Sequence, residues 1–166
     1  MPNPTDTLGP GQNPVTMSRY PHMMDLDTLV WTAYLAGDHP PISRVWYDLH
    51  VGDPIQVPPD SPPGLLAIAD GTGMKRIDVV ALVMNTLWII ELKPYGNHAA
   101  LGQVILYADL FRRRYGSRTP IVPTIICDTG DDDVAHVAES LKIQYIVTGP
   151  VGINPFTRDG TESIPE

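Results

Sequence analysis

Cysteine is nearly absent from this chain: Cys127 stands alone among 166 residues. A lone thiol excludes an internal disulfide and any cysteine-based zinc site, and it suits a reducing compartment. At the end of an apolar strand it reads as a buried structural group. Long apolar runs are missing too. None reaches the length of a membrane span, and the opening MPNPTDTLGPGQNPV has no signal-peptide pattern, so no membrane partner is expected. Positive charge is scarce: 11 Lys and Arg against 19 Asp and Glu give a net charge of −8. That balance counts against broad nucleic-acid binding driven by phosphate neutralisation. P-loop, GxSxG and HExxH patterns are absent, as are internal repeats.

What is present fits one soluble domain large enough for a real core, with 43% hydrophobic residues. Proline (18) and glycine (14) gather at the ends and in one internal stretch, which divides the chain. Residues 1–21 read as an extended or disordered arm, 22–148 as the folded domain, and 149–166 as a second extended tail. Within the domain the order is helix (Met23 to Ala36), strand (Arg44 to Val51), a proline-broken loop (Gly52 to Gly64), then a short turn or strand (Leu65 to Ile68). A flexible Asp70-Gly71-Thr72-Gly73 follows, then a β-hairpin. After it come a helix capped by Asn97 (His98 to Tyr115), a strand (Pro120 to Cys127), a helix (Asp131 to Lys142) and a last strand (Ile143 to Thr148). The expected fold is α/β, a mixed sheet with helices packed on it.

The hairpin carries the chemistry. Lys75 to Lys93, KRIDVVALVMNTLWIIELK, is two apolar β runs that nevertheless contain Asp78, Glu91 and Lys93. Charges are rarely buried unless paired or bound to a metal. A two-residue turn at Asn85-Thr86 sets Lys93 opposite Asp78 and Glu91 opposite Val80. Because side chains alternate with period two, all three charges then share one face near one end of the hairpin. Two carboxylates offer hard oxygen ligands to Mg²⁺ or Mn²⁺, and a lysine beside them can hold an attacking water or meet developing negative charge.

Asp78, a hairpin, and then Glu91-Leu92-Lys93 resemble the signature of the PD-(D/E)XK nuclease superfamily, and Ala100-Leu101-Gly102-Gln103 opening the next helix extends the likeness. The resemblance covers Lys75 to Thr148, and Ile77 stands where the family name has proline. It implies a restriction-endonuclease-like core and Mg²⁺-dependent (or Mn²⁺-dependent) hydrolysis of nucleic-acid phosphodiesters, most simply of DNA. Asp78, Glu91 and the carbonyl of Leu92 would bind the metal, Lys93 would assist the water, and Gln103 would support the site. A first-helix acid, which many members carry, is not assigned: Asp25 and Asp27 are available, but their place in a first helical turn is explained by the helix dipole.

Other residues carry two readings each. Arg112, Arg113 and Arg114 can touch phosphates, or can simply complement the dipole at a helix end. Asp48 can approach the metal or lie on a solvated face. Gln103 is an ordinary helix glutamine without the family pattern. The five histidines read as structural, with His98 near the proposed site, and the Asp131-Asp132-Asp133 run reads as a helix start. The chain also resembles small tailed-phage proteins with a RIDVV…WIIE-K…ALGQ core. That implies a second possibility, a structural or connector component of a virion whose arms dock on neighbouring subunits. The corresponding locations are the host cytoplasm or the virion, and a homo-oligomer is compatible with either.

Overall fold

A computed structural model describes residues 8–116 and 118–149, so the expected tail beyond Gly149 and the first residues of the arm lie outside the described residues. The architecture is α/β: a five-stranded mixed sheet flanked by four helices. The elements are α1 (Asp25–Ala36), β1 (Ile42–Val51), α2 (Pro63–Thr72), β2 (Lys75–Val83) and β3 (Thr86–Tyr95), followed by α3 (His98–Tyr115), β4 (Ile121–Thr129), α4 (Asp132–Ser140) and β5 (Gln144–Val147). The strands lie in chain order. β1, β2 and β3 are antiparallel, whereas β4 and β5 run parallel to β3. Parallel neighbours need a crossover, and α3 and α4 supply the two.

The two faces are covered by different helices. α1 puts Val30, Trp31 and Tyr34 on one face, against Val45, Val79, Ala81, Trp88, Ile90 and Leu92. α3 puts Ala108 and Phe111 on the other, against Trp46, Val80, Leu87 and Ile89. Burial on both sides explains why β3 is apolar without alternation from Leu87 to Ile90. α3 is well specified locally. The Asn97 carboxamide oxygen accepts from Ala99 N–H (3.0 Å) and Ala100 N–H (3.4 Å), and Gly116 ends the helix at φ 58°.

The alternation breaks at one level of the sheet. Tyr47 and Val79 pack on the α1 side, yet Leu49 and Ile77, two residues away on the same strands, pack on the α3 side. Between them lie Asp48, at φ 53° in the left-handed region, and Asp78. The two acids therefore sit where both strands change face.

Three sequence expectations are corrected. The hairpin turn is Met84-Asn85 rather than Asn85-Thr86, with Met84 at φ 51°, and it pairs Val83 with Thr86 and Val79 with Ile90. Continuing this alignment sets Asp78 across from Glu91 instead of Lys93. A shift of two residues leaves Glu91 and Lys93 on one face, and Asp78 sits opposite Glu91 at the level where β2 changes face. The stretch expected to be a short turn and a flexible segment is one helix, α2, in which Pro63 takes the first-turn position that proline tolerates. α4 and β5 are each shorter than expected, and Lys142 at φ 58° ends the former.

The N-terminal arm, for residues 8–20, lies on its own sheet. Gln12 and Val45 exchange backbone hydrogen bonds of 2.9 Å, and Trp46 Nε1 donates to Gly9 O at 3.3 Å. Leu8 packs on the α3 side and Tyr20 is buried on the α1 side. The arm is thus a strap across the outer edge of β1.

Candidate active site

The backbone ladder between β2 and β3 ends at Val79 and Ile90. Just beyond it, a side chain takes over: Asp78 Oδ2 accepts from the Leu92 N–H at 2.9 Å. In a strand the N–H and C=O of one residue point to the same edge, so the Leu92 carbonyl is directed to the Asp78 side. Glu91 and Lys93 flank Leu92 and lie on the α3 face, as their spacing requires. Lys93 Nζ is 2.8 Å from Glu91 Oε1, and the Glu91 side chain is only 3% exposed against 28% for Lys93.

These groups perturb one another strongly. Burial, and then the nearby Asp78, push Glu91 up to about 8, with Lys93 offsetting part of the shift. Burial also raises Asp78, against the opposing pull of the Leu92 N–H and Lys93, while Asp48 adds to the rise. For Lys93, burial works against the ammonium, yet Glu91, Asp78 and Asp27 together outweigh it and hold its pKa above the ordinary value. Burial is the largest cause of both elevated carboxyl pKa values, and the mutual repulsion of the two acids adds to that of Glu91.

Whether the residues fit a divalent metal can be tested on one atom. Glu91 Oε2 is buried and has no hydrogen-bond partner. Such an oxygen needs either a proton or a cation. Among the described residues no three His, Cys, Asp or Glu side chains form a ready metal cage. The set on offer is two carboxylates and a carbonyl, all hard oxygens. That suits Mg²⁺ or Mn²⁺, which keep several waters, and not zinc.

The first helix contributes what its sequence did not settle. Asp25 is exposed, but Asp27 is buried, and burial followed by the charge of Asp78 raises it to about 6. Lys93 pulls the other way. Asp27 thus belongs to the charged group, and the dipole explanation holds only for Asp25. Gln103 reaches the site through Tyr107: its Nε2 donates to the Tyr107 hydroxyl at 3.4 Å. Burial raises the phenol, and the charges of Glu91, Asp78 and Lys93 are all felt there. The i, i+4 spacing of Gln103 and Tyr107 carried that signal.

The arginine run is elsewhere. Nine to eleven residues along α3 from Gln103, at 1.5 Å per residue, Arg112, Arg113 and Arg114 stand roughly 15 Å along the helix axis from that glutamine. Arg113 pairs with Asp109 at 2.7 Å, and the Arg114 guanidinium lies over the Tyr115 ring. With Gly52, Asp53 and Leu110, the last two arginines line an open pocket of about 150 Å³. His98 opens α3 and lies within electrostatic reach of Asp131, the cap of α4. Asp48 is held by Arg76, and His22 and His50 approach it. Cys127 is free and buried, as expected.

No helix among the described residues is long and apolar enough to cross a membrane. No family model matches the chain, and no curated protein or solved structure matches it either.

Proposed function

We propose that the protein is a Mg²⁺-dependent (or Mn²⁺-dependent) nuclease that hydrolyses phosphodiester bonds of nucleic acid, most simply DNA. The observation that carries this reading is the grouping of Asp78, Glu91 and Lys93 at one end of the sheet, with a buried Glu91 oxygen left without a partner. Asp78, Glu91 and the Leu92 carbonyl would hold the metal. When bound, it supplies Lewis acidity and charge neutralisation. Lys93 is tied to Glu91 on one side and partly exposed on the other, so it can donate to the attacking water or to a phosphoryl oxygen as charge develops there. Asp27 adds negative charge that keeps Lys93 protonated. Gln103 and Tyr107 close the α3 side of the site.

Cleavage assays test this directly. Labelled linear duplex, single-stranded and branched DNA, and RNA, would be incubated with Mg²⁺ or Mn²⁺, alongside Asp78→Ala and Lys93→Ala. Metal-dependent cutting that both substitutions abolish supports the nuclease. A folded protein that binds no metal and cuts nothing ends it.

The net charge of −8 favours the second reading, a virion component built on the same fold. Arm docking on neighbours would then have to involve parts of the chain other than residues 8–20, which are engaged with β1.

A further inference from the structure

A second cluster lies beside the carboxylates, built around Asp48. Arg76 Nη1 donates to both Asp48 oxygens, at 3.0 and 3.1 Å. His22 Nε2 and His50 Nε2 stand 3.6 and 3.8 Å from Asp48 Oδ2. Three segments meet here: the turn before α1 brings His22, β1 brings Asp48 and His50, and β2 brings Arg76.

Three features set this cluster apart from an ordinary surface ion pair. The backbone is held in an uncommon state, since both Asp48 (φ 53°) and His22 (φ 52°) are left-handed without being glycine. Asp48 spends itself on a single guanidinium nitrogen. Nη2 and Nε of Arg76 have no hydrogen-bond partner among the described residues, although the carboxylate fixes the group in place. Finally, Asp48 lies across the β1–β2 ladder from Asp78, between the Tyr47–Val79 and Leu49–Ile77 pairs, and Arg76 is two residues from Asp78 on β2, so the cluster adjoins the proposed scissile site. Acids face the cluster from β1 (Asp48) and β2 (Asp78), and the basic groups are His22, His50 and Arg76. A guanidinium oriented by one carboxylate and retaining unspent donors is suited to a phosphate oxygen, and the two imidazoles can add a donor each.

We propose that Arg76, His50 and His22, oriented by Asp48, form a phosphate subsite that holds a backbone phosphodiester next to the one cleaved. The subsite takes its substrate from the nuclease reading, but it can be tested without any cleavage. The full-length protein, free of metal, is titrated with the dinucleotide dTpdT and separately with inorganic phosphate, while the His22 and His50 ring signals are followed by NMR. Both rings shift with dTpdT and saturate. Arg76→Gln weakens binding by about tenfold, and Arg76→Lys weakens it too, because a point charge cannot replace the fork. His50→Gln, which removes an imidazole 3.8 Å from Asp48, gives a milder loss and serves if the Arg76 variants do not fold.

Rings that do not move with dTpdT, or an Arg76→Gln protein that binds like the wild type, overturn the proposal. So does binding of inorganic phosphate without the dinucleotide, which would make this a free-phosphate site. If the protein cuts DNA, Arg76→Gln raises KM about tenfold with kcat within about twofold; an unchanged KM removes the subsite and leaves the nuclease. If dTpdT binds here and no nucleic acid is cut with any metal, the nuclease reading falls and the subsite stands.

Discussion

Asp78 and Leu92 meet where backbone pairing between their strands stops: a carboxylate oxygen takes the N–H that a neighbouring carbonyl would otherwise bind, at 2.9 Å. The exchange opens the sheet at that point and leaves the Leu92 carbonyl and the remaining Asp78 lone pairs for another ligand. It also fixes the carboxylate before any ligand arrives, which lowers the reorganisation that binding would cost.

The crowded acids make the metal-free fold sensitive to pH. In the unfolded chain Asp27 and Glu91 titrate near their ordinary 3.8 and 4.5, but in the folded protein near about 6 and about 8. The folded state holds these protons more tightly, so stability is greatest where both are protonated and falls as pH rises. The loss from Asp27 is complete above about 6 and that from Glu91 above about 8. Thermal unfolding in EDTA should therefore show Tm falling between pH 5 and roughly 8.5, with Mg²⁺ restoring it at the upper end. A Tm that climbs over this range in EDTA would contradict the arrangement.

Glu91→Gln should separate stability from function. It removes a buried charge that repels Asp78, at the loss of the ion pair to Lys93. Burial and repulsion outweigh that pair, so at pH 8 the metal-free variant should be about 1–2 kcal/mol more stable by urea unfolding. Isothermal titration should find its Mg²⁺ binding lost. A destabilised variant that still binds metal would show that the Lys93 pair dominates instead.

The N-terminal strap should contribute to stability. Tyr20 is buried, and its hydroxyl meets the Met17 N–H at 3.1 Å and Thr32 Oγ1 at 3.3 Å. Tyr20→Phe should cost about 1 kcal/mol and Tyr20→Ala about 3–5 kcal/mol in chemical denaturation. Equal effects of the two would mean that the ring contributes nothing beyond its hydroxyl.

Gly96 holds the turn into α3. A Cβ there would lie 2.7 Å from Cys127 Sγ and collide with the Tyr145 hydroxyl, which donates to Gly96 O at 2.6 Å and accepts from Asp131 N–H at 2.9 Å. Gly96→Ala should cost about 2–3 kcal/mol. It should also lower cleavage by displacing the start of α3 that carries Gln103. Unchanged melting would show that Tyr145 can move aside without loss.

Much of this was legible in the sequence for a simple reason. The shared face of Glu91 and Lys93 depends only on strand periodicity, which an error of two at the turn leaves intact, whereas Asp78 joins them through its bond to the Leu92 N–H at the point where β2 changes face. α3 was readable because Asn97, its apolar spacing and Gly116 agree. Asp27 was not, because an acid in a first helical turn already has a local explanation and only the tertiary fold brings it to Asp78. The strap was equally hidden, since Pro- and Gly-rich segments carry no periodicity and their partners lie far along the chain. The arginines of α3 kept both of their readings, because a basic helix end has a local explanation and Arg113 and Arg114 also line an open pocket.

The strap has a consequence for how copies of this chain can meet. A sheet ordinarily exposes two rows of unpaired backbone groups, one on each outer strand, and either can recruit another chain. Here, among the described residues, the row on β1 is covered at Val45 by the protein's own Gln12, and no strand lies outside the short β5. A second chain could pair with β1 at that point only by displacing the Gln12 segment, which disfavours growth of the sheet from that edge.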